Sequence, residues 1–211
     1  MTQAQSTPWI GLPYWQQAII HWLRSIIVSR ANYWAAYAVD WLCPIVLGYL
    51  GWQEATSWPI PVLSVVAGCF VFTLVEYAIH RWGFHSDASF MTPIHQEHHD
   101  IPLNRTALPF FTSPGASLIL WSIFRPLLGQ EIACFFLSGV LAGYFCYSLL
   151  HHIEHNVRVK RGLRRIPPFS WLQARWAAHV VHHRLSDKNY GVTTSFWDRV
   201  FGTHHRSTKT K

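Results

Sequence analysis

The chain has 211 residues, of which 50% are hydrophobic and 13% charged, with a formal net charge of +7. That is enough for one domain but too apolar for an ordinary soluble one, so a membrane domain is the default. The basic excess does not point to nucleic acid, because it gathers after the last apolar run and no nucleic-acid motif accompanies it; orientation in a membrane explains it better.

Residues 1–32 read as a polar tail and an amphipathic helix. The opening MTQAQSTP lacks a basic segment followed by an apolar one, so no cleaved signal peptide is expected and insertion would rely on the spans themselves. Within Tyr14 to Arg30, Ile19, Ile20, Leu23, Ile26 and Ile27 recur at helical spacing while Gln16, Gln17, Arg24 and Ser25 occupy other faces. This predicts a helix lying in the membrane interface.

The first predicted span covers about 33–52, with aromatic residues at its ends. Asp40 lies inside it, about two turns from its start, and is expected to be interfacial or hydrogen-bonded. The loop QEATSWP leads to a second span, about 60–79, whose one charge is Glu76, and the two make a hairpin. A third, about 108–124, is interrupted by Pro109 and Pro114 and stopped by Arg125-Pro126. The fourth, about 131–150, carries Gly139-x-x-x-Gly143, which would let a neighbouring helix approach closely. Cys43, Cys69, Cys134 and Cys146 all lie in apolar runs, form no C-x-x-C pair, and read as reduced packing residues.

Lys and Arg number two before the first span, none between first and second, two in 80–107, one between third and fourth, and twelve afterwards. Four spans with both termini cytoplasmic fit that asymmetry. The segments 80–107 and 151–203 then form a cytoplasmic cap, and 204–211 a basic tail. The expected fold is an all-α integral membrane protein, with four transmembrane helices in two hairpins under a helical cap.

Eleven of the fourteen histidines fall in three clusters within that cap or at its border. His95, His98 and His99 have i, i+3, i+4 spacing, which places them on one helical face, and Thr92-Pro93 suits a helix start with Thr as N-cap. His179, His182 and His183 repeat the spacing on a helix predicted to begin with the capping box Ser170-x-x-Gln173. His151 and His155 are four apart at the end of the fourth span. His80 and His85 are five apart, and Gly83 is expected to loosen the helix so that a bend brings both to one site.

These ten imidazoles exceed the roughly three to five that one metal uses, so two adjacent metals are the natural reading. His152 faces away from the 151/155 pair and reads as supporting or structural. His21, His204 and His205 have no partners in register. Glu76, Glu97, Asp100, Glu154, Asp187 and Asp198 lie among the histidines and could accept their second N–H, with Glu76 and Asp198 the preferred candidates.

The order H-x4-H, H-x2-H-H, H-x3-H, H-x2-H-H, met by His80/His85, His95/His98/His99, His151/His155 and His179/His182/His183, resembles the fatty acid hydroxylase and sterol desaturase superfamily. HHDIPLNR after the second motif and NYGVTTSFWDRVFGT after the last are similar to its fatty acid 2-hydroxylase branch, which acts on sphingolipid acyl chains. The resemblance covers about 70–203. It implies that the ten histidines hold two non-haem iron ions, for which zinc can substitute in a purified sample, with O2 as co-substrate.

The implied activity is hydroxylation of a lipid acyl chain, at the 2-position of a sphingolipid acyl group or a free fatty acid. Eukaryotic relatives often carry a b-type cytochrome domain that has no counterpart here. A separate electron donor is therefore expected: a cytochrome, ferredoxin or flavoprotein reductase. His152 stands where Tyr is expected and Asn156 where a further His is expected, which bears on the substrate. The short chain and absent donor domain favour a bacterial inner membrane, with the endoplasmic reticulum as the eukaryotic equivalent.

A sterol or carotenoid hydroxylase or desaturase of the same superfamily is the alternative. A membrane metal carrier is more remote, because a carrier needs polar residues across the bilayer and here only Asp40 and Glu76 enter the spans.

Overall fold

A computed structural model describes residues 13–86, 89, 91–102, 106–161 and 170–205, with the backbone alone described for 156–161 and 170. The described residues contain helices and no strand: α1 (Tyr14–Ile27), α2 (Arg30–Trp52), α3 (Pro59–Ala78) continued by a π-helical turn (Ile79–Phe84), α4 (Thr92–Asp100), α5 (Thr112–Leu128), α6 (Gln130–Arg161), α7 (Ser170–His182) and α8 (Phe196–Val200). Predicted and observed elements correspond one to one up to the fourth span, and the differences lie at their ends.

In α1, Ile20 and Ile27 are buried while Trp15, Ile19 and Trp22 are exposed. One apolar edge faces the protein and another faces outward, as suits a helix at a lipid interface. Arg24 reaches α4, its Nη2 donating to Glu97 Oε2 at 2.5 Å. α2 begins three residues before the predicted span because Ser29 caps it, its hydroxyl accepting from Asn32 N at 3.0 Å. The Asn32 side chain in turn donates to Ala107 O and Leu108 O and accepts from Phe110 N. This ties the start of α2 to the approach to α5.

α2, α3 and α6 are each long and apolar enough to cross a membrane. α6 packs against both others and against α5. Its crossing with α3 is close because the glycines on both helices leave no room for a side chain. A Cβ on Gly139 would lie 2.2 Å from Val65 O, and one on Gly68 would lie 2.0 Å from Phe136 O. A Cβ on Gly143 would come within 2.8 Å of the Phe72 ring. The Gly139-x-x-x-Gly143 motif therefore serves the approach expected of it.

Asp40 is buried and accepts a hydrogen bond from Ser113 Oγ of α5 at 2.5 Å, the hydrogen-bonded role expected for it. All four cysteines are free thiols, Cys134 buried and Cys146 exposed.

α5 starts four residues later than predicted, because Pro109 stands outside the helix and Phe111 precedes its first residue. It has 17 residues, about 25 Å at 1.5 Å per residue, which is short of a bilayer core of about 30 Å. Gly129, with φ of +83°, joins it directly to α6, so the two form a tight hairpin.

One local expectation is corrected. Thr92 does not cap α4: it is the first helical residue, Met91 precedes it, and its hydroxyl donates to Ser86 O at 2.5 Å. The helix opens before His85 as expected, over a turn that includes Gly83. The π-helical winding from Ile79 to Phe84 does that work, because i→i+5 hydrogen bonding brings residues five apart towards the same side. The side chains of Ser170 and Asn156, and the tails 1–12 and 206–211, lie outside the described residues, as does any Ser170 cap.

Candidate metal centre

The ends of α3 and α6 bring their histidines together with those of α4 and α7. All ten predicted imidazoles converge, in two groups of five. One contains His80, His85, His95, His99 and His182; the other contains His98, His151, His155, His179 and His183. Within each group the ligand atoms lie within 4.8 Å of one another.

The two H-x2-H-H motifs do not each serve one group, as a shared helical face had suggested. In both, the i, i+4 pair enters one group and the intervening residue enters the other. Positions i+3 and i+4 differ by about 100° around a helix, enough to aim adjacent imidazoles at neighbouring centres. α4 and α7 thus stitch the groups together in opposite senses.

In the first group, His95 Nε2 is 3.1 Å from the Nε2 atoms of His80, His85 and His99, and His85 Nε2 is 3.1 Å from that of His182. In the second, His155 Nε2 is 3.2 Å from His151 Nε2 and 2.8 Å from His179 Nε2, which is 3.1 Å from His183 Nε2. Adjacent ligands at right angles around an ion with metal–nitrogen bonds of about 2.1 Å would be separated by roughly 3.0 Å. Both nitrogens of buried His98 are without a hydrogen-bond partner among the described residues. Five imidazoles converging at such separations form a donor set that fits a first-row transition metal, iron and zinc included.

The electrostatics favour neutral, ligand-ready rings. Burial, reinforced by neighbouring imidazoles, pushes His85 down to about 4, His98 to about 2 and His183 to about 3. His95, His99, His179 and His182 are lowered by burial as well. Near neutral pH no proton competes for the inward lone pairs.

The outward nitrogens of His80 and His182 are held by the loop after α7. His80 Nδ1 meets Tyr190 O at 2.5 Å and His182 Nδ1 meets Lys188 O at 2.8 Å, which fixes Nδ1–H and leaves Nε2 as donor to the centre. The loop is shaped by Asn189 in the left-handed region (φ 53°), whose side chain bonds Ala178 O and both the carbonyl and N–H of His205.

Glu76 and Asp198 are both buried, but the hydrogen bonds they accept come from this loop, not from imidazoles. Asp198 accepts from Tyr190 N, Gly191 N and Thr203 Oγ1 at 2.8–3.0 Å. Glu76 accepts from Val192 N at 2.5 Å, Thr193 N at 3.0 Å and the Thr193 hydroxyl. Their effect on the histidines passes through the backbone carbonyls, which no spacing rule reveals. Among the acidic candidates it is Glu154 that faces an imidazole, with Oε2 3.7 Å from His179 Nδ1.

His152 belongs to neither group. It pairs with the Tyr33 hydroxyl and lines a cavity of about 130 Å³, reached also by His95 of one group and His98, His151 and His155 of the other. Tyr37, Asp40, Tyr144 and Tyr147 extend that cavity into the helical bundle, and Ile27, Phe84, Ile94 and Leu108 supply apolar wall. The tyrosines were missed from sequence, although Tyr144, Tyr147 and His151 share one helical face at i, i+3 and i+7. His21, His204 and His205 lie outside both groups.

A family model described as "fatty acid hydroxylase" matches residues 65–203, a stretch that contains all four histidine motifs. A dihydroceramide fatty acyl 2-hydroxylase of Arabidopsis thaliana is 31% identical over 83% of this chain and 75% of its own length. A ceramide very long chain fatty acid hydroxylase of Schizosaccharomyces pombe is 31% identical over 81% of this chain and 50% of its own. The solved structure of full-length scs7p, with only its hydroxylase domain visible, superposes with a TM-score of 0.69 at 26% identity, covering 84% of this chain and 68% of that one. Motifs, fold and relatives agree, and the chain belongs to the fatty acid hydroxylase family.

Proposed function

We propose that this chain is a membrane oxygenase that hydroxylates a lipid acyl chain at carbon 2, in a sphingolipid acyl group or a free fatty acid. The observation that carries the reading is the pair of five-imidazole groups, from both of which histidines line a cavity walled by apolar and tyrosine side chains. Relatives named dihydroceramide fatty acyl 2-hydroxylases favour an acyl substrate over the sterol or carotenoid alternative.

The ten histidines would hold two iron ions, one per group. Such a pair supplies the reduction of O2 and the insertion of one oxygen atom into a C–H bond, the other leaving as water with two protons and two electrons from a separate donor protein. This chain's residues do the rest. Tyr190 O and Lys188 O hold the His80 and His182 rings with their inner nitrogens facing the centre. The wall formed by Ile27, Phe84, Ile94 and Leu108 excludes water beside the acyl chain. The Tyr33–His152 pair offers polar contacts near the same cavity for the carbonyl end of the substrate.

In the same reading, residues 33–203 form the hydroxylase domain and α5 is a fourth span. Its start is tied to that of α2 through Asn32, and its hairpin with α6 returns the chain to the histidine end. The metal centre and both termini then lie on the cytoplasmic side, of a bacterial inner membrane or the endoplasmic reticulum.

The test is to load the purified protein with iron, reduce it, supply a ceramide or fatty acid and O2, and analyse the lipid by mass. The expected product is heavier by about 16 mass units, with the hydroxyl on carbon 2. Unmodified acyl lipid at verified iron occupancy would refute the reading, and a hydroxylated sterol would support the alternative.

A further inference from the structure

The two imidazole groups differ in what stands behind them. Behind the first are neutral backbone carbonyls, at His80 and His182. Behind the second is the side-chain carboxyl of Glu154, which is 5% exposed and whose Oε2 is 3.7 Å from His179 Nδ1. His179 Nε2 points the other way, into the group, at 2.8 Å from His155 Nε2.

Both Glu154 oxygens, His179 Nδ1 and Arg175 Nη1 are buried without a hydrogen-bond partner among the described residues. Arg175 is 9% exposed, and its other terminal nitrogen donates to Ser195 Oγ. It and Glu154 interact electrostatically. Burying a polar group unpaired costs about 1–3 kcal/mol. The unmet donors and acceptors are of complementary kinds, however: an imidazole N–H, a carboxylate and a guanidinium.

We infer that Glu154 and Arg175 are positioning residues that make the two metal sites unequal, Glu154 accepting His179 Nδ1–H and Arg175 balancing its charge. This rests on the two-metal reading above. With a metal on His179 Nε2 the ring keeps its proton on Nδ1, and a carboxylate accepting that proton makes the imidazole a stronger donor than a neutral carbonyl does. The ion at His98, His151, His155, His179 and His183 is therefore the tighter bound of the two. Replacing a partner of this kind typically lowers metal affinity by about 10–100-fold.

The test loads purified full-length protein with Zn2+ and dialyses it against a graded series of chelator, measuring zinc per chain at each step. Wild type is expected to hold two zinc ions and release them in two steps. Glu154→Gln should move the tighter step by about 10–100-fold and leave the weaker one in place. Arg175→Met should move the same step by less, and Arg175→Lys should restore it. His182→Ala, in the other group, should abolish the weaker step and so assign the two.

A parallel shift of both steps, or of neither, in Glu154→Gln overturns the inference while leaving the two-metal reading standing. Fewer than two zinc ions on wild type overturns both. If Glu154→Gln does not accumulate as folded protein, Arg175→Met against Arg175→Lys decides by the same criterion. General loss of packing would not spare one step, nor be reversed by a lysine.

Discussion

The apolar bundle of α2, α3 and α6 and the histidine-bearing end built from α4, α7 and the 188–205 loop are held together by opposite means. In the bundle, helices meet where side chains are missing: Gly68 and Gly139 set α3 and α6 backbone against backbone. At the histidine end, the His80 and His182 imidazoles are fixed by carbonyls of a loop that the buried side chains of Glu76 and Asp198 hold in turn. A membrane provides little hydrophobic drive between helices, so close contact organises the first region. Low dielectric makes each satisfied polar bond costly to lose, so hydrogen bonding organises the second.

The largest effect is expected from the bundle, because everything else is mounted on it. Gly139→Leu must displace the Val65 carbonyl, and should cost about 3 kcal/mol or more in unfolding from detergent, with loss of bound metal. His98→Ala and His182→Ala come next: each should lower metal content and abolish turnover while helix content by circular dichroism is kept. If either also unfolded the bundle, the separation of the two regions would fail.

Asp198→Ala leaves Tyr190 N, Gly191 N and Thr203 Oγ1 without their acceptor, at about 3 kcal/mol. It should weaken metal retention at the His80 group more than at the other, as read by zinc per chain. Metal removal by chelator should lower stability by about 2.7 kcal/mol per site at a free metal concentration near 100 times Kd, visible as a lower melting temperature. Smallest of all, His204→Ala should leave metal content and activity unchanged, because His204 lies in neither group. A loss as large as that of His182→Ala would undo the partition of histidines into ligands and bystanders.

Much of this was legible in the chain itself. Apolar periodicity located the helices, because a residue in lipid must be apolar whatever its neighbours are, and histidine spacing picked out the ten that converge, because helix geometry is local. The glycine motif on α6 announced a close crossing for the same reason. What the chain could not disclose were arrangements that depend on a second element. The π-helical turn at Ile79–Phe84, the division of each H-x2-H-H motif between two groups, and the service of Glu76 and Asp198 to backbone instead of imidazole are of this kind.

Glu154 shows the contrast most plainly. By sequence it was one acid among six beside histidines, and only the tertiary structure set it before His179. Sequence determined which groups could donate, since that is a property of each side chain and its helical phase. Tertiary structure decided what each donor meets, because a hydrogen bond or a shared ion requires atoms from distant parts of the chain to come within about 3 Å.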